Sequence, residues 1–155
     1  MWKDAYLESR VMTADPLELV SILYEHAIRT VEDARRQLAS GDIALRAKAI
    51  AKAISIIGEL HGSLDHKAGG EISKNLAKLY EYMKYRLSIA NLRQKDGPLE
   101  EVEKLLRTLE EAWTAISRKV ESTQTIGAEQ FDSAAFNMPF VMPAEVRGTA
   151  GSWSA

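Results

Sequence analysis

The chain has 155 residues, enough for one domain with a real core and a tail besides. Apolar residues make up 46% and charged residues 27%, ordinary for a soluble globular protein, while a net charge of −2 leaves no basic excess to offset nucleic-acid phosphates. The absence of cysteine excludes disulfides and thiolate metal sites and fits a reducing cytosol. The opening MWKDAYLESR places charges where a signal peptide needs its apolar stretch. No apolar run approaches the roughly 20 residues of a membrane span. The expectation is a cytosolic protein with no nucleic-acid partner and no membrane insertion.

Residues 1–12 are mixed and carry no strong period. A clear helix start follows at Thr13-Ala-Asp-Pro-Leu-Glu18: Asp15 suits the N-cap, Pro16 fits N1 because it lacks a donor, and Glu18 stands at N3. Val20, Leu23, Tyr24, Ala27, Val31, Ala34 and Leu38 then form one stripe, predicting a helix over about 16–39. Gly41 suits its left-handed C-terminal stop. Asp42 can cap a second helix, about 43–65, with the stripe Ile50, Ala53, Ile54, Ile57, Leu60 and Leu64, widened by Leu45, Ala49 and Ile56. Lys67-Ala-Gly-Gly70 breaks the chain before a third helix, about 71–95. A fourth, about 98–121, follows Lys95-Asp-Gly-Pro98 and carries Leu99, Val102, Leu105, Leu106, Leu109, Trp113, Ile116 and Val120 on one face. Similar lengths and short breaks predict an all-α fold, an antiparallel up-down four-helix bundle occupying residues 1–122. Residues 123–155 are rich in Ser, Thr, Ala, Gly and Pro, with Phe131, Phe136, Met138, Phe140, Val141 and Met142 set among them. They read as a flexible tail with one adhesive segment.

The third predicted helix carries more apolar surface than one buried face needs. Leu76, Leu79, Met83, Leu87 and Ala90 make a core stripe. Tyr82, Tyr85, Ile89 and Leu92 make a second one, roughly 130° around the helix. Either this second stripe is absorbed by packing within the bundle, or, with the surplus of the second helix, it forms an open strip for a partner. An amphipathic helix laid along it is the natural ligand.

Catalytic chemistry finds little support. Dinuclear metal bundles use Glu-x-x-His on two helices, and none of His26, His61 and His66 has a Glu three residues before it. The acid pairs Glu100-Glu101 and Glu110-Glu111 read as solvated helix surface. Gly69-Gly70 lacks the strand before and the Gly-Lys-Ser/Thr after that a phosphate loop requires. No enzyme, cofactor or metal is expected.

Four segments together resemble one known family. "TADPLELVSILYEHAIR" is similar to its first-helix signature, "AISIIGELHGSLD" to a recurring second-helix pattern, and "GGEISKNLAKLYEYMKYRLSIAN" and "LEEVEKLLRTLEEAW" to its third and fourth helices. The family is FliS, the flagellin-specific export chaperones of bacteria, and the resemblance covers roughly residues 6–117. It implies a cytosolic bundle that binds the disordered C-terminal region of flagellin, prevents premature polymerisation and delivers the client to the flagellar type III export apparatus. The open strip would then be the flagellin surface, carried by Leu45, Ala49, Ile56, Tyr82, Tyr85, Ile89 and Leu92. The resemblance also implies an N-terminal segment covering part of that surface, here through Trp2, Tyr6, Leu7 and Val11.

The chain departs from the family at two places. Glu25-His26 replaces the signature Asp-Gly after Leu-Tyr, and residues 123–155 have no counterpart. That tail either does nothing or folds back through Phe136, Phe140 and Met142 to compete with the client. The alternative function is a helical regulator that sequesters another flagellar or transcription-related protein. A free apolar groove would also permit weak homo-oligomers.

Overall fold

The computed structural model describes residues 2–13 and 15–126, so the tail aromatics from Phe131 onward lie outside the described residues. Five helices follow in order: α1 (Trp2–Thr13), α2 (Pro16–Ser40), α3 (Ile43–Gly62), α4 (His66–Arg93) and α5 (Asp96–Ile126). The last four form the expected bundle. α2 packs against α3 and α5, and α4 packs against the same two, so α2 and α4 stand diagonally opposite. Short connections leave each helix antiparallel to the next.

The caps explain the boundaries. Asp15 accepts a hydrogen bond from the Glu18 amide at 2.8 Å, and Asp42 accepts one from the Leu45 amide at 2.9 Å. Gly41 adopts φ 79°, the left-handed turn that glycine takes without a Cβ penalty. Three differences from the sequence reading have local causes. Residues 2–13, without strong period, nevertheless form a helix. The break after α3 comes at Ser63, because Asp65 caps a new turn by accepting from the amides of Lys67 and Ala68. That turn meets the rest of α4 at Gly70, whose φ of 51° and ψ of −127° is a kink. The buried Ser73 hydroxyl, 3.0 Å from His66 Nδ1, fastens the two pieces together. Finally, α5 runs on to Ile126, past the predicted stop at 121.

The core is made by the predicted stripes. Val20, Tyr24, Ala27, Val31 and Ala34 of α2 meet Ala49, Ile50, Ala53, Ile57 and Leu60 of α3. Met83, Leu87 and Ala90 of α4, with Leu99, Val102, Leu106 and Trp113 of α5, complete it. The Trp113 indole N–H donates to the Leu17 carbonyl at 3.0 Å, closing the end where α5 passes the start of α2. On the surface, Arg35 of α2 makes two 2.8 Å bonds to Asp96 and one to Glu103, while Arg107 bridges Glu103 and Glu32. This network sews α2 to α5. Burial pushes the Glu103 carboxyl upward, but Arg35 and Arg107 outweigh it and hold the group below its ordinary value.

At the centre, the hydroxyls of Tyr24 and Tyr80 lie 2.5 Å apart, joining the diagonal helices. Burial pushes Tyr24 up to about 12, against the lowering effect of its bond to Tyr80. Burial and then Tyr24 push Tyr80 upward as well. Both phenols are therefore neutral through the physiological range. Tyr24→Phe or Tyr80→Phe alone strands one buried hydroxyl and is expected to cost about 1–3 kcal/mol. The double variant should cost less than the sum, as measured by urea unfolding. A raised phenol keeps its full contribution below the unfolded value of about 10. The thermal midpoint should therefore fall as pH climbs from about 10 toward 12, and less steeply in the double variant.

Candidate functional site: the outer face of α4

With Tyr80, Met83, Leu87 and Ala90 turned fully inward, the 100° step of the helix dictates what points out. Tyr82, Tyr85, Ile89 and Leu92 fall on the opposite side. Tyr85 is 61% exposed, Leu92 78% and Tyr82 43%, with Ile89 partly covered. They form one continuous strip over about three turns. Its α5 edge is fixed by Glu101, which accepts from the Tyr82 hydroxyl and, at 2.9 Å, from Arg86 Nε. Those bonds, Tyr82's first, hold the Glu101 carboxyl below its ordinary value, and Glu101 in turn raises the Tyr82 phenol. The hydroxyl is thus anchored at the α5 edge, beside the strip. On the α3 flank, Glu81 meets Lys84 at 2.7 Å and His61 at 3.1 Å.

The α3 residues expected to extend this strip are placed elsewhere. Ala49 and Ile56 are 5% and 8% exposed and belong to the core. The reason is rotational. Arg46 and His61 mark the side of α3 that faces α4, through Asn91 and Tyr80. Leu45, Ala49 and Ile56 lie roughly 110° away from them, on the side toward α2. The α3 surplus is therefore spent in the α2–α3 contact, and only Leu45, at its open end, is exposed.

α1 is tied to the bundle by an ion pair. Arg10 pairs with Glu25 of α2 at 3.4 Å. One turn before Glu25, Ile22 points away from the bundle axis, yet it is only 2% exposed and stands outside the core cluster. Arg10 thus sets α1 beside the outer face of α2, the helix diagonal to α4. Leu7 is half-buried, while Tyr6 and Val11 are exposed; the side chain of Trp2 lies outside the described residues.

Four further large apolar residues are open among the described residues, Met12 of α1 included. Ile72 and Ile116 lie at one end of the α4–α5 pair, and Ile43 lies near Leu92 at the other end. Both Ile72 and Ile116 keep core register, so period alone assigns them inward. Charge is also divided between the hairpins. Residues 43–95 hold ten Lys and Arg against four Asp and Glu, in a chain that is net acidic overall. Among the described residues there is no group of three or more metal-ligating side chains and no helix long and apolar enough to cross a membrane.

A profile of the family described as "Flagellar protein FliS" matches residues 2–120. The chain belongs to the FliS family. It is 45% identical over 114 residues to the flagellar secretion chaperone FliS of Salmonella typhimurium, spanning 73% of this chain and 84% of the relative. It is 35% identical over 116 residues to the flagellar secretion chaperone FliSB of Pseudomonas aeruginosa, spanning 75% and 92%. The corresponding FliS of Campylobacter jejuni is 30% identical over 123 residues, spanning 79% and 93%. Residues 121–155 of this FliS-family chain fall beyond the profile match.

The two kinds of apolar residue should separate in stability measurements. Ile56→Ala is expected to cost about 2–4 kcal/mol through the cavity it opens. Leu92→Ala should stay within about 0.5 kcal/mol. Chemical denaturation of the two variants checks both.

Proposed function

We propose that this chain is a cytosolic flagellar export chaperone whose client is the disordered C-terminal region of flagellin. It holds that region on the outer face of α4, keeps it from polymerising prematurely and delivers it to the flagellar type III secretion apparatus. The observation that carries the reading is the continuous exposed strip of Tyr82, Tyr85, Ile89 and Leu92, set opposite a complete core. A fold gains nothing from leaving such side chains in water, and contiguous apolar surface marks a binding face. The names of the relatives supply the class of work, and the strip supplies a place for it.

The physical logic is coupled folding and binding. A client segment unable to bury its own apolar residues stays unfolded until it meets a complementary face. Burial against two tyrosines and two aliphatic side chains drives association, and the entropy of ordering the client offsets much of that gain. A modest net affinity suits a chaperone that must release its client. Leu45, Ala49 and Ile56 face α2 rather than α4, so the proposed client surface is confined to the α4 strip. α1, tied to α2 by Arg10 and Glu25 on the side away from α4, leaves the strip open to the client.

Tyr85→Asp combined with Ile89→Asp is expected to reduce binding of a peptide from the flagellin C-terminus at least about a hundredfold by calorimetry. Far-ultraviolet circular dichroism and the thermal midpoint should stay close to those of the parent. Undiminished binding by the folded variant would sink the assignment.

A further inference from the structure

We propose that residues 131–142 of this same chain dock on the outer face of α4 and compete there with the client. The competition rests on the functional reading above; the docking does not. Four observations converge on it.

The chain's three phenylalanines are Phe131, Phe136 and Phe140, all beyond α5 and beyond the segment matched by the family profile. The bundle builds its core without any. The spacing is also specific. Phe136, Met138, Phe140 and Met142 alternate with Asn137, Pro139 and Val141. Pro139 and Pro143 favour extended backbone around them, and in an extended segment the four large apolar side chains would share one face. At about 3.3 Å per residue they span about 20 Å, against about 15 Å for Tyr82 to Leu92 along α4.

Reach agrees with this pairing. Glu101 of α5 is level with Tyr82 and Arg86, so the end of α5 at Ile126 stands about 35–40 Å along the bundle from the centre of that pair. Fourteen extended residues carry Phe140 about 46 Å from Ile126, enough to reach Tyr85. Charge agrees too. Residues 127–155 hold Glu129, Asp132 and Glu145 against Arg147 alone, while the α3–α4 segment 43–95 carries a basic excess. An acidic, aromatic segment is thereby matched to a basic, apolar face.

The test uses the full chain, whose lack of cysteine lets single thiols be introduced cleanly. One variant carries Lys78→Cys, exposed one turn before Tyr82, together with Asn137→Cys. A control carries Arg29→Cys, exposed on the diagonal helix α2 at nearly the same height along the bundle as Lys78, with the same tail substitution. Under mild oxidation, docking predicts a monomeric cross-linked product forming about tenfold faster in the first variant. Adding Phe136→Asp and Phe140→Asp should return that rate to the control value. Equal rates, a rate indifferent to the two Asp substitutions, or cross-links formed only between two chains would each overturn docking within the chain. If the tail occupies the face in about nine of ten molecules, the same two Asp substitutions in the cysteine-free chain raise affinity for the flagellin C-terminal peptide about tenfold. Unchanged affinity overturns the competition. Selective cross-linking with no peptide binding by either chain supports docking and overturns the client assignment instead.

Discussion

Two phenol oxygens 2.5 Å apart in the middle of the bundle constrain more of this protein than any surface contact does. Tyr24 and Tyr80 belong to diagonal helices, which otherwise have the least reason to hold one another in register. A buried hydroxyl without a partner is costly, so each tyrosine demands the other, and α4 can neither rotate nor slide without stranding both. Once Tyr80 is fixed inward, residues two, five, nine and twelve positions later must emerge on the far side of the helix. These are Tyr82, Tyr85, Ile89 and Leu92. The open strip is in this sense a consequence of the core, and the same bond that stabilises the bundle aims its proposed binding face.

The remaining polar contacts sort by hairpin. Arg35, Arg107, Glu32, Asp96 and Glu103 compensate one another across the α2–α5 seam. Around α4 the balance is different. Lys78, Lys84, Arg86 and Arg93 surround the strip, with Glu81 as the opposing charge on the same stretch, and Glu101 reaches Arg86 from α5. The face is therefore apolar along its centre and basic along its margins, a combination that selects for an acidic amphipathic chain.

Much of this was legible before any coordinates. The three helix starts and the left-handed Gly41 follow from residue chemistry within a few positions, because caps and turns are local. The inward stripes followed from period alone, and so did the outward stripe of α4. What period could not supply was the rotation of one helix relative to its neighbours. Ala49 and Ile56 widen the apolar face of α3 on one side, but nothing in the sequence says whether α2 or α4 stands on that side. Ile116 shows the complementary failure: it keeps core register and is nevertheless exposed. Tyr80 belonged to neither stripe in the sequence reading, since tyrosine suits a surface as well as a core. Its importance comes from a partner 56 residues away. The helix over residues 2–13 is not legible in the sequence for a related reason. A weakly amphipathic stretch becomes helical when a neighbour supplies a surface, and Arg10 finds that surface at Glu25.

An exposed apolar strip creates a problem of self-recognition, and the margins of α4 bear on it. Two copies laid strip against strip would bring Lys78, Lys84, Arg86 and Arg93 of one against their equivalents in the other. Excluding water between like charges raises their repulsion, so the symmetric pairing is penalised at its rim while its centre attracts. A chain with acidic residues beside its apolar ones meets the same centre without the penalty. The arrangement therefore discriminates by sign where the hydrophobic effect alone cannot, since apolar burial is indifferent to the identity of the partner. Such discrimination weakens as ionic strength rises. On the proposed reading, a preference for a complementary chain over a second copy would come from the basic margins, and the binding itself from the four apolar side chains.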